Sequence, residues 1–295
     1  MRDNGMYSIE TRDLTKSFML YRGFLDAIRR SGNRDILTTL DKVNIKVQEG
    51  EVYGLLGPNG AGKSTLIKIL CTLILPSEGE AYVNGYDVVK EGQQARESLG
   101  FVTTDERSFY WRLSGRENLQ FFATLYNLPQ SVVRSRTEEL LDVVRLKHRA
   151  DEPFYSYSAG MKQQMAIARG LLNDPAVLFM DEPTRSLDPG AARNLRNFIK
   201  EKIVGEKGKT IFISTHQLDE AEELCDRVAI LDEGKIKANG SPAELKAALS
   251  QGSTLGDVFS HYTGKASLEE QSTPFPANIP RQKSRGRGMG RRRGI

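Results

Sequence analysis

The stretch that decides the fold is Gly57-Pro58-Asn59-Gly60-Ala61-Gly62-Lys63-Ser64-Thr65. It fits the phosphate-binding pattern G-x-x-x-x-G-K-[ST], in which glycines let successive backbone N–H groups turn inward towards phosphate oxygens. In this pattern the lysine reaches the β- and γ-phosphates, and the hydroxyl that follows it ligates Mg²⁺. The stretch therefore predicts a nucleotide-binding loop in which Lys63 contacts phosphate and Ser64 contacts Mg²⁺.

The residues on either side supply the context that the pattern needs. Residues 51–56 follow the turn signal Glu49-Gly50 and form a short apolar run, which is typical of a buried strand. From Leu66 onward, apolar residues recur at the spacing of an amphipathic helix. A glycine-rich turn alone is usually only a turn, but a helix that begins here would direct the positive end of its dipole at phosphate.

The remaining chain alternates between strand and helix patterns. Apolar or alternating runs predict an edge strand at residues 7–10 and further strands at 40–47, 80–83, 98–102, 176–180, 210–214 and 227–231. Helical spacing dominates from about residue 105 to 162, which predicts a helical insert between two halves of an α/β domain. The alternation predicts a mostly parallel sheet covered by helices on both faces.

Residues 19–36 are less regular. Leu20, Phe24 and Ile28 recur at four-residue spacing among arginines, which predicts a short amphipathic helix. Two hypotheses fit this helix: it covers the neighbouring sheet, or it is a basic element close to a membrane surface.

Composition places limits on the class of protein. A chain of 295 residues with 39% hydrophobic content can bury a large core. No apolar run approaches the roughly 20 residues of a membrane span, and Met1-Arg2-Asp3-Asn4 lacks an apolar signal segment, so we expect a cytosolic protein. Cys71 and Cys225 have no metal-ligand spacing, which suits a reducing compartment.

The charge is unevenly distributed along the chain. The net charge is +4 and residues 281–295 hold seven basic and no acidic residues, so the remainder carries −3. After about Thr263, proline and then Arg/Gly-rich composition predicts disorder. Anionic lipid or RNA could bind this basic tail, and a tail without a partner is an equal alternative.

Two carboxylates follow the most apolar predicted strand. Asp181 and Glu182 come directly after residues 176–180, beside the expected phosphate loop. Carboxylate oxygen is a preferred ligand of Mg²⁺, and a second carboxylate can polarise an attacking water. We therefore expect Asp181 to orient metal-bound water and Glu182 to act as the catalytic base.

A second anion site is predicted near Ser158. This serine precedes an apolar helical face that begins near Met165, as a helix N-cap does. It is either a cap alone, or a cap whose hydroxyl also binds phosphate together with the N–H of Gly160.

At these residues the chain resembles the ATP-binding-cassette (ABC) ATPases, over about residues 7–249. The family signature is close to L-S-G-G-Q, and the chain has Tyr157-Ser158-Ala159-Gly160-Met161, in which Ala159 and Met161 depart. Phe18 matches the aromatic residue that stacks on adenine, Ser186-Leu187-Asp188 matches the loop after the catalytic glutamate, and His216 matches the histidine that contacts the γ-phosphate.

The resemblance implies a fold and partners. The fold is an α/β P-loop NTPase with a mostly parallel core sheet, an N-terminal antiparallel β lobe and a helical subdomain insert. The cofactors are ATP and Mg²⁺. Two cassettes dimerise head to tail, so we expect a homodimer or a dimer with a related cassette. The cassette looks most like those of export-type transporters, which dock on a separate polytopic membrane subunit at the cytoplasmic face of the membrane.

These implications divide the chain into an ATPase domain at residues 1–263 and a tail at 264–295. The core is expected at about 7–104 and 163–249, and the helical subdomain at about 105–162. A soluble ABC ATPase acting on nucleic acid or ribosomes is the alternative. The basic tail supports it, but the sequence shows neither a tandem cassette nor a long coiled-coil insert, which disfavours nucleic acid as a partner. A P-loop kinase of small molecules would not explain the signature or His216.

One departure from the family concerns Mg²⁺. Thr104 stands where these ATPases usually have a glutamine that approaches the metal, and Asp105-Glu106 follow it. Threonine is short and stiff at χ1, so one hypothesis is that Asp105 or Glu106 approaches Mg²⁺ instead. The alternative is that both acids face solvent and this loop serves only coupling to the membrane subunit.

Overall fold

Two β-sheets organise the computed structural model, which describes residues 7–20, 35–103, 108–250 and 252–264. The strands are β1 (Tyr7–Leu20), β2 (Asp35–Gln48), β3 (Val52–Leu56), β4 (Glu78–Val83), β5 (Tyr86–Asp87), β6 (Leu99–Thr103), β7 (Val177–Asp181), β8 (Thr210–Thr215), β9 (Arg227–Asp232) and β10 (Lys235–Gly240). The helices are α1 (Lys63–Leu70), α2 (Gly92–Ser98), α3 (Gly115–Leu125), α4 (Gln130–Val143), α5 (Ala159–Gly170), α6 (Pro189–Phe198), α7 (Leu218–Leu224), α8 (Pro242–Leu249) and α9 (Leu255–Thr263), and α6 continues as a π-helix over Ile199–Glu206.

The larger sheet has the strand order β10-β9-β3-β8-β7-β6, and only β10 runs antiparallel to its neighbour. Every residue of β3 and β8 is buried. Strands covered on both faces need continuous apolar runs, which explains why apolar and polar residues do not alternate along these two strands. The predicted mostly parallel sheet is confirmed. Because β3, β8 and β7 are parallel neighbours, their carboxyl ends meet at one edge, where ligands of such sheets bind.

The smaller sheet is antiparallel, with the order β2-β1-β4-β5. Its first strand corrects one prediction: residues 7–10 are not an edge strand, because β1 pairs with β2 on one side and with β4 on the other. Ile9 and Thr11 are buried, whereas Arg12 is exposed. The strand is therefore an interior strand of the sheet, and its polar residues do not mark an edge.

The predicted helix around Leu20, Phe24 and Ile28 is only partly described. Leu20 belongs to β1 and pairs with Asp35 of β2, so the helix does not include it. Phe24 and Ile28 lie outside the described residues, as do Thr104, Asp105, Glu106 and the basic tail at 281–295.

The helical insert lies between β6 and β7 and contains α3, α4 and α5. Its buried residues Leu119, Leu141 and Met165 share one apolar core with Leu178 and Met180 of β7. A helical insert is therefore confirmed, and it is packed on the parallel sheet. In the ranges that the structure describes, no helix combines the length and apolar character that crossing a membrane requires.

Candidate functional site

The loop between β3 and α1 has a backbone that only glycine adopts easily. Gly62, the residue before α1, has a φ of 111°, and a Cβ there would lie 2.6 Å from the carbonyl oxygen of Thr39. This loop packs so closely on β2 that a side chain would displace it. The bare backbone at the start of α1 fits a phosphate group, since it offers N–H donors and the helix dipole.

The turn between β9 and β10 braces the same loop. The N–H of Gly234 donates to the carbonyl of Ala61 at 3.1 Å, and the N–H of Asp41 donates to the carbonyl of Gly234 at 2.9 Å. The ammonium of Lys235 also lies 3.1 Å from the carboxylate of Asp41. Gly234 therefore links the phosphate loop to the antiparallel sheet.

Lys63 is the first residue of α1 and its side chain points back into the loop. Its Nζ donates to the carbonyls of Gly57 at 2.6 Å and of Pro58 at 3.1 Å, and the residue is only 6% exposed. Burial lowers the pKa of Lys63, whereas the nearby carboxylates of Glu182 and Asp181 raise it. The lysine thus lies in a confined, acidic surrounding beside the loop backbone.

The loop and the two acids line one open cavity of about 270 Å³. Its described lining residues are Thr39, Pro58, Asn59, Gly60, Gly62, Lys63, Ser64, Thr65, Asp181, Glu182 and Arg185. Ser64 Oγ donates to Asp181 Oδ2 at 3.3 Å, and the Ser214 hydroxyl donates to Asp181 Oδ1. A hydroxyl and a carboxylate held side by side are the oxygen ligands that Mg²⁺ prefers, so this pair fits that metal.

Glu182 follows β7 and meets His216, which follows β8. Because Asp181 pairs with Ser214 in the sheet, the residues after them emerge side by side. His216 Nδ1 donates to Glu182 Oε1 at 3.0 Å, and Arg185 Nη1 donates to Oε2 at 3.1 Å. The hydrogen bond from His216 lowers the pKa of Glu182 against the opposing effect of burial, which keeps the carboxylate ionised.

The backbone of Glu182 is also unusual, with a left-handed φ of 49°. Such a conformation is uncommon for a residue with a long side chain and persists where the surroundings fix it, often at functional sites. The N–H of Glu182 donates to the carbonyl of Ser214 at 3.0 Å, which holds the turn against β8.

Three contributors to the site escaped sequence reasoning. Ser214 orients Asp181, Arg185 pairs with Glu182, and Thr39 lines the cavity from β2. Arg185 lies three residues from Glu182, a spacing that suits contact within a turn. Ser214 and Thr39 carry no local signal, since their neighbours in the site come from other strands.

The other predicted site residues lie elsewhere. Phe18, Ser158 and Gly160 are outside the described lining of the cavity, and His216 adjoins that lining only through its contact with Glu182. Phe18 is 38% exposed on β1, with the Lys16 ammonium 4.9 Å from its ring centroid. Ser158 caps α5, since its Oγ accepts from the N–H of Met161 at 3.3 Å, and Gly160 follows in the first turn.

The chain is similar in sequence to ATP-binding proteins of ABC transporters. The model of the family described as ABC transporter matches residues 40–185. The probable multidrug ABC transporter ATP-binding protein YbhF of Escherichia coli (strain K12) is 37% identical over 239 residues, which are 81% of this chain but only 38% of that protein. The daunorubicin resistance ATP-binding protein DrrA3 of Streptomyces coeruleorubidus is 37% identical over 221 residues, 75% of this chain and 68% of that protein.

The fold is also similar to that of a solved ABC transporter cassette. The dimeric structure of MJ0796, a bacterial ABC transporter cassette, matches with a TM-score of 0.65 and 26% identity over 79% of this chain and 98% of that one. The phosphate loop, the paired acids at the sheet edge and these matches together show that the chain belongs to the ABC transporter family of ATP-binding proteins.

Proposed function

We propose that this chain is the ATP-hydrolysing subunit of an ABC transporter that exports its substrate through a separate membrane subunit. The observation that carries the proposal is the 3.0 Å contact between His216 and Glu182, because Glu182 lines the same cavity as Lys63, Ser64 and Asp181. The names of the relatives from Escherichia coli and Streptomyces coeruleorubidus, which refer to multidrug transport and drug resistance, support export.

The side chains divide the work of hydrolysis. Lys63 binds the β- and γ-phosphates, and Ser64 and Asp181 hold Mg²⁺. Bound Mg²⁺ supplies charge neutralisation and polarisation of the phosphate oxygens. Glu182 accepts a proton from the attacking water, whose oxygen displaces ADP from the γ-phosphorus. His216 holds one carboxylate oxygen of Glu182. The other oxygen contacts Arg185, whose side chain is 65% exposed, and it receives the proton once Arg185 moves aside.

The cassette works as a dimer, of two copies or with a related cassette. Ser158 and Gly160 bind ATP held by the phosphate loop of the second cassette, while Phe18 stacks on adenine of its own. Their position outside the phosphate cavity and the dimer of the bacterial cassette named above support this arrangement.

The chain acts at the cytoplasmic face of a membrane, docked on a polytopic subunit. Its ATPase domain occupies residues 1–263, the tail occupies 264–295, and the basic segment 281–295 of that tail contacts anionic lipid. The transporter names of the relatives weigh against an ATPase that acts on nucleic acid or ribosomes. Copurification separates the two: detergent-dependent recovery with a membrane protein supports transport, and RNase-sensitive association contradicts it.

The roles at the phosphates are tested by Glu182→Gln and Lys63→Ala. Glu182→Gln keeps ATP binding while the rate of hydrolysis falls by about 10²-fold or more, since a general base contributes about 10²–10⁴. Lys63→Ala weakens ATP binding. Its matched control is Lys68→Ala, at an exposed position of the same helix, which should bind ATP as wild type does. Glu201→Gln, at an exposed glutamate, controls for the loss of one negative charge. Hydrolysis at the wild-type rate by Glu182→Gln would show that the base is another residue.

A further inference from the structure

Glu220 is a buried acid that the mechanism above does not use. It lies in the first turn of α7 and is fully buried, whereas Asp219, Glu222 and Glu223 of the same helix are exposed. Its helix turns Glu220, Ala221 and Leu224 inward. Glutamate is rarely buried without a partner because the carboxyl loses its hydration. A polar role explains this residue better than packing does.

The groups that face Glu220 belong to the two segments that carry the catalytic pair. Thr184 lies two residues after Glu182, Thr215 directly precedes His216, and both threonines are 1% exposed. Their hydroxyls lie close enough to lower the pKa of Glu220. Within the described part of the chain, neither carboxyl oxygen of Glu220 nor the hydroxyl of Thr184 has a hydrogen bond of ordinary geometry. Three buried polar groups therefore share one site, and buried polar groups usually bond to one another.

A protonated carboxyl suits this site. Burial is the largest effect on Glu220 and raises its pKa, against smaller opposing effects of the threonines, Arg196 and His216. Arg196 is bonded at 2.8 Å to the exposed Glu223, so the positive charge of Arg196 is partly neutralised there rather than at Glu220. A protonated carboxyl can donate one hydrogen bond and accept another. Thr215 Oγ1 accepts from the N–H of Gln217 at 2.9 Å, and a hydroxyl that accepts one bond can still donate its own proton to an acceptor such as Glu220.

We propose that Glu220 is a positioning residue whose carboxyl joins Thr184 to Thr215 and thereby fixes Glu182 and His216 relative to each other. The inference rests on the roles proposed above for those two residues. The segment after β7 needs such an anchor, because Glu182 and Ser186 both have left-handed φ angles, 49° and 68°. A backbone in this region holds its conformation only where its neighbours determine it.

The test compares Glu220→Gln, Glu220→Leu and Asp219→Asn in the full-length chain. Glutamine keeps a donor and an acceptor, leucine keeps only the volume, and Asp219→Asn removes an exposed acid from the same turn. We expect kcat of Glu220→Gln within about twofold of wild type, and kcat of Glu220→Leu lower by about tenfold to 10²-fold with KM for ATP changed less than about threefold, since a misplacement of about 1 Å costs this much. Asp219→Asn should match wild type.

Three results would overturn the inference: wild-type kcat in Glu220→Leu, equal losses in the glutamine and leucine variants, or a loss confined to KM. If Glu220→Leu fails to fold, Thr184→Val decides, because valine replaces the hydroxyl with a methyl group of similar size. A lowered kcat in Thr184→Val supports the bridge, and an unchanged kcat contradicts it. Glu182→Gln is measured alongside. If it hydrolyses ATP normally, the proposed roles fail; if it is inactive while the Glu220 variants behave like Asp219→Asn, only the bridge fails.

Discussion

The raised pKa of Glu220 makes the stability of the protein depend on pH. In the unfolded chain this carboxyl ionises near its ordinary value of 4.5, whereas burial retains the proton in the folded chain. Its contribution to stability is therefore complete below that pH and is lost as the pH rises through the folded pKa. We expect the melting temperature of wild type, relative to Glu220→Gln, to be highest at and below pH 4.5 and to decline as the pH rises above it.

Thermal scans across this range check the expectation. The charged and titratable groups that face the site are Arg196, His216 and Cys225, and they are the same in both proteins. Asp219→Asn alters an exposed acid and is the control. The difference in melting temperature between wild type and Asp219→Asn should not change with pH in this way. Parallel curves for wild type and Glu220→Gln would mean that Glu220 ionises in the folded protein as it does in the unfolded one.

Single residues were predictable where one motif fixes both type and position. Lys63, Ser64, Asp181 and Glu182 meet in one cavity as the spacing of the motifs predicts, although their roles stay proposals. Glu220 was not predictable, because the sequence of α7 does not reveal which of its four acids turns inward. The hypothesis that Asp105 or Glu106 replaces the usual glutamine also stays a prediction.

At the scale of elements, α5 is the helix whose first residues are proposed to bind ATP across the dimer. Ser158 caps α5 through a bond from the N–H of Met161 at 3.3 Å, and Ser241 caps α8 through a bond from the N–H of Glu244 at 3.2 Å. Replacing either serine by alanine should lower the free energy of unfolding by about 1 kcal/mol, because a capping bond is lost.

Only Ser158→Ala should also weaken ATP-dependent dimerisation, since Ser158 alone of these two caps is proposed to contact nucleotide. Size-exclusion chromatography of each variant in the Glu182→Gln background, with and without ATP, measures this difference. Equal dimerisation of the two variants would show that Ser158 is a helix cap and does not contact the nucleotide.

Elements were predicted well where the hydrophobic period decided them. The strands β3, β7, β8 and β9 begin and end within a residue of their predicted limits, since a buried parallel strand must be apolar throughout. The prediction failed for β1, because pairing on both sides depends on β2 and β4, which lie far along the chain. At Leu20, four-residue spacing suggested a helix, whereas this residue ends β1 and pairs with Asp35 of β2.

At the scale of the whole molecule, the basic tail is the largest concentration of charge. Residues 281–295 carry seven positive charges, and each is worth about 1 kcal/mol near an anionic membrane. Truncation after Pro280 should leave ATP hydrolysis intact and reduce binding to acidic vesicles at low salt, where screening is weak. Neutral vesicles serve as the control. Unchanged binding to acidic vesicles would leave the tail without a lipid partner, and binding to RNA instead would revive the alternative function.

The contact of Gly234 with the phosphate loop has a consequence for mutational genetics. A substitution at Gly234 must fit a φ of 76° and a Cβ only 2.7 Å from the carbonyl of Thr39, so it pushes on β2 and, through Ala61, on the loop. In a genetic screen for loss of nucleotide affinity, Gly234 should therefore score together with Gly62 and Lys63, although a map of the gene would place it in a different region. Suppressors of such a lesion should arise around Thr39 and Asp41, where the two regions meet.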